Sequence, residues 1–297
     1  MLPEHTGPQD HTQEAPRAVR EYIATLDEAA WGAATEVEPK FVSPSDPAAQ
    51  WTGALRGPAF LAYADNDLID LKTAVIVDVE ASRAVRQAEV GAARTMLERT
   101  PERFGLKPER LAGDSAYGSA EMLHWLVEEQ KIEPHVPVID KSERQDGTFS
   151  RSDFSYDPEA DTYSCPESKT LTTSGRIVNE GTNRLYLGST FDCGPCHLKE
   201  RCCPNTPARR ITRSIHEHAR EVARSLRGTP AFERSRQGRK RIEMLFAHLK
   251  RILKMGRLRL RGPCGAQDEF LLAATAQNLR KLARLVLSTG PRVTQEA

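Results

Sequence analysis

The chain has 297 residues, 39% of them hydrophobic and 28% charged, with a net charge of +1, the profile of a globular protein holding one large domain or two ordinary ones. No apolar run approaches the roughly 20 residues needed to cross a bilayer, and the polar, proline-bearing start MLPEHTGPQDHTQEAP is no signal peptide. A cytoplasmic protein without a membrane partner is expected, in which six cysteines point to metal binding or free thiols rather than a secreted disulfide framework.

The near-neutral total hides an asymmetry. Residues 201–262 hold 18 Lys and Arg against 4 Asp and Glu, whereas residues 1–200 hold 20 against 34. A basic block beside an acidic body suits a polyanion, because each cation set on a phosphate releases a counterion. A solvated helical face is the plainer alternative.

In chain order, residues 1–16 carry no structural pattern, and Val19, Tyr22, Ile23, Leu26 and Ala30 predict a helix over 18–34. The turn-rich stretch Ser43-Pro44-Ser45-Asp46-Pro47 follows. Strands are expected at 60–70 and 74–79, a helix at 87–99, a short strand at 110–114, a helix at 119–130 with Ser119 as N-cap, and a strand at 135–139. This order predicts an α/β domain with a mixed sheet flanked by helices. Residues 141–210, rich in Asp, Ser, Thr, Gly, Pro and Cys, read as a loop-rich inserted subdomain. Helices resume at 216–227, 237–254 and 267–287. The organisation is therefore a tail and helix (1–42), a first catalytic part (43–140), the cysteine-rich insertion (141–210) and a helical C-terminal part (211–290).

In the helix at 237–254, Ile242, Leu245, Phe246, Leu249, Ile252 and Leu253 make one apolar stripe. At about 100° per residue, Arg239, Glu243, Lys250 and Lys254 project together beside it. By itself this is ordinary i,i+4 Arg–Glu support. Asp70 and Asp114 change its meaning. Each ends an apolar strand, where a carboxylate gains nothing from packing and where open α/β sheets place ligands. Two such aspartates and a helical glutamate could hold two divalent cations about 3.5–4 Å apart for phosphoryl displacement. Hard oxygen donors without His or Cys favour Mg²⁺ or Mn²⁺. Cys193-Gly194-Pro195-Cys196, with Cys165 before it and Cys202-Cys203 after it, could form a tetrahedral zinc site or stay as free thiols. Cys264 reads as a spare thiol, and His124, His216, His218 and His248 as packing or surface residues.

The segments Ser45-Asp46-Pro47, Tyr63 to Asp70, Leu111 to Ser119, the cysteine cluster, Arg239 to Lys250 and Ala276-Gln277-Asn278-Leu279 together resemble the DDE transposases of bacterial insertion sequences, in the subgroup with a cysteine-containing insertion. The resemblance implies an RNase H-like catalytic domain. It matches Asp70, Asp114 and Glu243 to the three acids, held within joint reach of a Mg²⁺ or Mn²⁺ pair, with Asp65, Asp67 and Asp78 as neighbouring alternatives for the first. It implies DNA contacts by Arg239 and Lys250, which Arg241 and Lys254 flank, and a structural zinc on Cys165, Cys193, Cys196 and Cys202, with Cys203 as alternate. Relatives often carry a tyrosine where Arg236 stands, so no stacking role is expected there. Relatives also carry a larger N-terminal region for binding transposon ends than the roughly 40 residues before Ser43. The implied activity is metal-dependent DNA cleavage and strand transfer, with transposon ends and target DNA as partners and a homodimer in the DNA complex. A remnant that only binds DNA, and an RNase H-like nuclease, are the alternatives.

Overall fold

The computed structural model describes residues 41–53, 57–140, 142–179 and 181–289. The helix expected at 18–34 lies outside them. The elements begin β1 (Gln50–Gly53), β2 (Ala59–Ile69), β3 (Ile76–Arg83), α1 (Arg86–Phe104) and β4 (Arg110–Ala112). They continue α2 (Ala120–His124), β5 (Glu133–His135), β6 (Ser155–Asp157), β7 (Thr162–Ser164), β8 (Thr170–Val178) and β9 (Asn183–Leu187). Then come α3 (Thr190–Cys193), α4 (Lys199–Cys202), β10 (Arg210–Ser214), α5 (Glu217–Leu226), α6 (Pro230–Arg251) and α7 (Gly262–Thr289). The protein is thus mixed α/β, with its strands in several sheets. Two compact units arise, one from the chain up to Ala112 and from Gly228 onward, the other from Gly113 to Arg227.

The first unit is built on an antiparallel sheet, β1-β2-β3, with Asp65 opposite Ala81 and Asp67 opposite Val79. Strand alternation divides the β3 side chains between two faces. Ile76, Val79 and Ala81 pack with Ala266, Phe270 and Ala274 of α7. Asp78, on the other face, takes Arg99 of α1, whose Nη2 donates to its Oδ1 at 2.9 Å. Glu80 shares the same guanidinium.

Helix α7 also blunts the free edge of β3, which would otherwise expose unpaired backbone groups. Asn278 accepts from Ile76 N (3.0 Å) and donates to Ile76 O (2.8 Å). Gln267 accepts from Ala81 N (2.6 Å) and donates to Val79 O (3.1 Å). Asp46 ties the start of this unit to its end, accepting from Tyr63 Oη (2.6 Å) on β2 and from Gly262 N (3.0 Å) on α7. The resemblance segments containing Asp46 and Asn278 are therefore structural ties.

The second unit corrects the expectation of a loop-rich 141–210. It contains a five-stranded antiparallel sheet in the order β10-β9-β8-β7-β6. Short strands separated by turns hide the period-2 signal, and an aromatic core takes the place of long aliphatic runs. Phe154, Tyr163, Leu171, Tyr186, Cys202, Cys203 and Ile211 are buried together. Asp161 accepts from Tyr156 Oη (2.8 Å), Tyr186 Oη (2.5 Å) and Arg184 (2.6 Å), which hold its carboxyl below its usual range. Beside this sheet, Glu217 of α5 is 1% exposed, and burial alone would push its carboxyl up. Arg151, Arg220 and Arg224, at 2.8–3.0 Å from its oxygens, outweigh that and keep it low. The boundaries at Gly113 and Arg227 include the helix α2 and the strand β5, so this unit is larger than the predicted 141–210.

The helices expected at 119–130, 216–227, 237–254 and 267–287 are present with shifted ends. The first becomes α2 followed by a π-turn, Trp125–Gln130, after Ser119 caps the start by accepting from Met122 N at 3.2 Å. The strand expected at 135–139 is instead β5, two residues earlier. Helix α6 starts at Pro230 because Thr229 caps it, accepting from Phe232 N at 3.2 Å, and Pro suits the first helical position.

Candidate active site

Asp70 follows β2 directly, as expected, and opens the turn into β3. Its Oδ2 accepts from the Thr73 N–H (2.8 Å) and hydroxyl (2.5 Å). Burial pushes its carboxyl up slightly, but these bonds prevail and hold it below its usual range. It is therefore an exposed, ionised carboxylate with a fixed orientation.

Asp114 lies two residues beyond β4, exposed, with Oδ1 accepting from Ala116 N at 2.7 Å. The turn Ser115–Tyr117 that it caps is a single 3₁₀ turn, closed by Gly118. A Cβ on Gly118 would lie 1.9 Å from the Pro137 carbonyl oxygen, so only glycine fits, and its own oxygen accepts from Ile139 N at 2.8 Å. The Asp114-to-Gly118 segment is held rigidly by that close approach.

Glu243 stands mid-helix on α6, 60% exposed, with Arg239 Nη2 at 3.8 Å, the loose i,i+4 pair that the helix spacing predicts. Asp70 and Glu243 belong to the first unit and Asp114 to the second. Within the first unit, a Cβ on Gly238 would meet the Leu71 side chain at 3.5 Å, so α6 packs closely on the turn that carries Asp70.

Ile242 and Leu249 of the apolar stripe are buried, whereas Ile252 is 60% exposed. Lys254 is not on the helix with the other cations. Ile252 caps α6, and Lys254 adopts φ 57° while Met255 N reaches back to Leu249 O at 3.2 Å. The apolar spacing extends the helix to 254, three residues past its end at Arg251, because spacing does not reveal the reversal at Lys254. Arg241 is exposed on the helix, and Lys250, also exposed, lies close enough to Asp65 to pull its carboxyl down.

Cys202 and Cys203 are buried in the aromatic core, and Cys165 and Cys193 pack against it. Burial pushes the Cys202 thiol up to about 12 and raises that of Cys193, with Cys203 adding to both. Cys203, the alternate ligand, thus lies near Cys193 together with Cys202, while Cys196 is only half-buried. Among the described residues no group of three or more His, Cys, Asp or Glu side chains is arranged to hold a metal ion.

Residues 164–283 match a family described as the transposase DDE domain. This match, over 120 of the 297 residues, supports a DDE-type transposase. It includes Glu243 and the cysteines from Cys165 to Cys264, while Asp70 and Asp114 precede it. No curated protein and no solved structure matches the chain. No described helix is long and apolar enough to cross a membrane.

Two further acids stand out by their placement on β2. Asp65 and Asp67 share the face of β2 opposite Ala81 and Val79, and one oxygen of each is buried without a hydrogen bond. Burial raises Asp65 to about 6 and Asp67 to about 8, the latter helped by the neighbouring Asp65 charge. Their spacing of two marks a shared face, but only the packing reveals its burial. Asp78, by contrast, is committed to Arg99. His124 and His216 are partly buried and their rings stack, 4.1 Å between centroids.

The pH dependence follows from the sign of these shifts. With its folded pKa above the unfolded 3.8, Asp67 retains a proton in the fold that the unfolded chain has released. Its stabilising contribution is complete below about pH 4 and fades as pH rises towards 8. Asp67→Asn should therefore stabilise the first unit at pH 8 by on the order of 1–3 kcal/mol, with the gain vanishing near pH 4. Denaturant midpoints at the two pH values check this; a gain equal at both would mean that Asp67 is not held neutral by the fold.

Proposed function

We propose that the chain catalyses metal-dependent cleavage and strand transfer of DNA, with Asp70, Asp114 and Glu243 as its three acids in an RNase H-like arrangement. The observation that carries this reading is the transposase DDE match spanning the α6 helix of Glu243. It is supported by the way the other two acids are presented. Both are exposed at strand ends, and both have one oxygen fixed by the local turn. An exposed all-carboxylate set fits a hard divalent cation such as Mg²⁺ or Mn²⁺. When bound, such ions supply activation of a hydroxyl nucleophile and stabilisation of the leaving 3′-oxygen.

The chain's own groups orient and steer. Thr73 holds Asp70 ionised, the Gly118 contact fixes the turn of Asp114, and Arg239 lies beside Glu243. Arg239, Arg241, Lys250 and Lys254 attract the DNA backbone. Transposon ends and target DNA are the proposed partners, with two copies of the chain acting in the DNA complex, inside the cytoplasm. A cleavage and strand-transfer assay with Mg²⁺ or Mn²⁺ on the flanking inverted repeats tests the proposal. DNA bound but never cut with either metal would favour a binding-only remnant, and cutting without joining would favour a nuclease. Replacing Asp70 and Asp67 by Asn in parallel identifies the first acid: cleavage should be lost in Asp70→Asn and kept in Asp67→Asn.

A structural zinc on Cys165, Cys193, Cys196 and Cys202 completes the proposal. Its support is the CxxC spacing and the tight reversal at Cys165, whose Sγ accepts from Lys169 N at 3.3 Å. Purified protein should contain about one zinc per chain, and chelation should loosen residues 141–210 first. Zinc-free protein with the same protease resistance there would leave the sulfurs as a packed thiol cluster.

A further inference from the structure

The loop joining α6 to α7 contains Lys254, Arg257, Arg259 and Arg261 and no acid. Together with Leu258 and Leu260 these cations line a concavity of about 500 Å³. The loop is anchored from several sides. Met255 and Leu258 pack against the core of the first unit. Glu269 of α7 accepts from Arg259 N (2.6 Å) and Leu260 N (2.5 Å), and Gly262 N is fixed on Asp46.

The Glu269 carboxylate is thus engaged by backbone N–H groups and makes no ion pair with the loop side chains. Among the described residues, Lys254, Arg257, Arg259 and Arg261 form no ion pair. Several other cations of the basic block are paired, among them Arg236 with Glu233, Arg239 with Glu243, Arg213 with Glu221, and Arg224 with Glu217 and Asp140; what distinguishes the loop is that four unpaired cations line one concavity. Four like charges around one concavity repel each other, and among the described residues no ion pair offsets them. A polyanion supplies it with release of counterions, and planar guanidinium groups match phosphate oxygens in pairs.

We propose that residues 254–261 form a preorganised phosphate-binding loop that grips the DNA backbone independently of sequence, with Arg257, Arg259 and Arg261 as its contacts. This rests on the DNA reading above, and adds to the helix cations a second site of contact. The test is the salt dependence of binding to a fluorescent DNA duplex. In the Arg257→Gln, Arg259→Gln, Arg261→Gln triple variant, the slope of log affinity against log salt should flatten by about 2–3, since each lost phosphate contact removes ~0.9. Single Arg259→Gln should flatten it by about 1, and the melting midpoint of both should equal or slightly exceed that of the parent, because these side chains are exposed and their mutual repulsion is relieved. An unchanged slope in a folded triple variant that still binds overturns the loop's role and leaves the DNA reading intact. Failure of the unsubstituted chain to bind duplex at all overturns both.

Discussion

On the proposed function, Glu243→Gln is expected to abolish DNA cleavage while leaving DNA affinity equal or slightly higher. The substitution keeps the shape of a 60% exposed side chain on an α6 helix whose packing relies on Ile242 and Leu249. Folding should not notice it, because the Arg239 pair at 3.8 Å is loose and partly solvated, a geometry that contributes only a few tenths of a kcal/mol. What disappears is one formal charge from the donor set. Losing several kcal/mol of transition-state stabilisation corresponds to a rate loss of about 10²–10⁴-fold. Affinity moves the other way, since a carboxylate among DNA-facing cations is repulsive. Arg239→Ala and Lys250→Ala should show the opposite pattern, with weaker binding and a salt slope lower by about one unit each. The readouts are cleavage rate and binding isotherms on the same variants. If Glu243→Gln cleaves like the parent, the third acid is misassigned.

Gly118→Ala is expected to unfold or severely destabilise the second unit, by on the order of 3 kcal/mol or more. An added Cβ would lie 1.9 Å from the Pro137 carbonyl oxygen and 3.0 Å from Ile139 N, and both neighbours are backbone. Backbone cannot swing aside as a long side chain can, so either the Gly118–Ile139 hydrogen bond breaks or the 3₁₀ turn behind Asp114 shifts. Overpacking of even one methyl group into fixed surroundings costs roughly 1–3 kcal/mol, and the loss of a buried backbone bond adds to it. Gly175→Ala is the control: its φ of +77° makes it a strained site, but nothing lies within 4 Å of the added Cβ, so the effect should be smaller. Thermal melts of the two variants compare them. A Gly118→Ala midpoint within a degree or two of the parent would show that the Pro137 contact is not retained in solution.

Much of the secondary structure could be read from the sequence by itself, for reasons that are local. β2 declares itself by an apolar and aromatic run, β3 by its β-branched content, and the helices α1, α5, α6 and α7 by their periodicity. The placement of Asp70 just after β2 and of Asp114 just beyond β4 was legible because each closes an apolar run, and that of Glu243 beside Arg239 because helix geometry sets it there. Element ends were less legible where a single cap decides them, as Thr229 does at the start of α6 and the reversal at Lys254 does at its end.

Only the tertiary structure decided the rest, because it depends on contacts between residues far apart in the chain. The sheet of the second unit needed five short strands to meet over Tyr163, Leu171 and Tyr186, none of which carries a long enough period to announce it. The same holds for Asn278 and Gln267, polar residues on a helix that became the cap of a strand edge about 200 residues away. Asp65 and Asp67 look like any polar strand positions until burial leaves an oxygen of each without a hydrogen bond. The free charges of Arg257, Arg259 and Arg261 became visible only once Glu269 was found bonded to backbone N–H groups instead. Sequence states which charges exist; which of them remain uncompensated is settled by what the folded chain brings beside them.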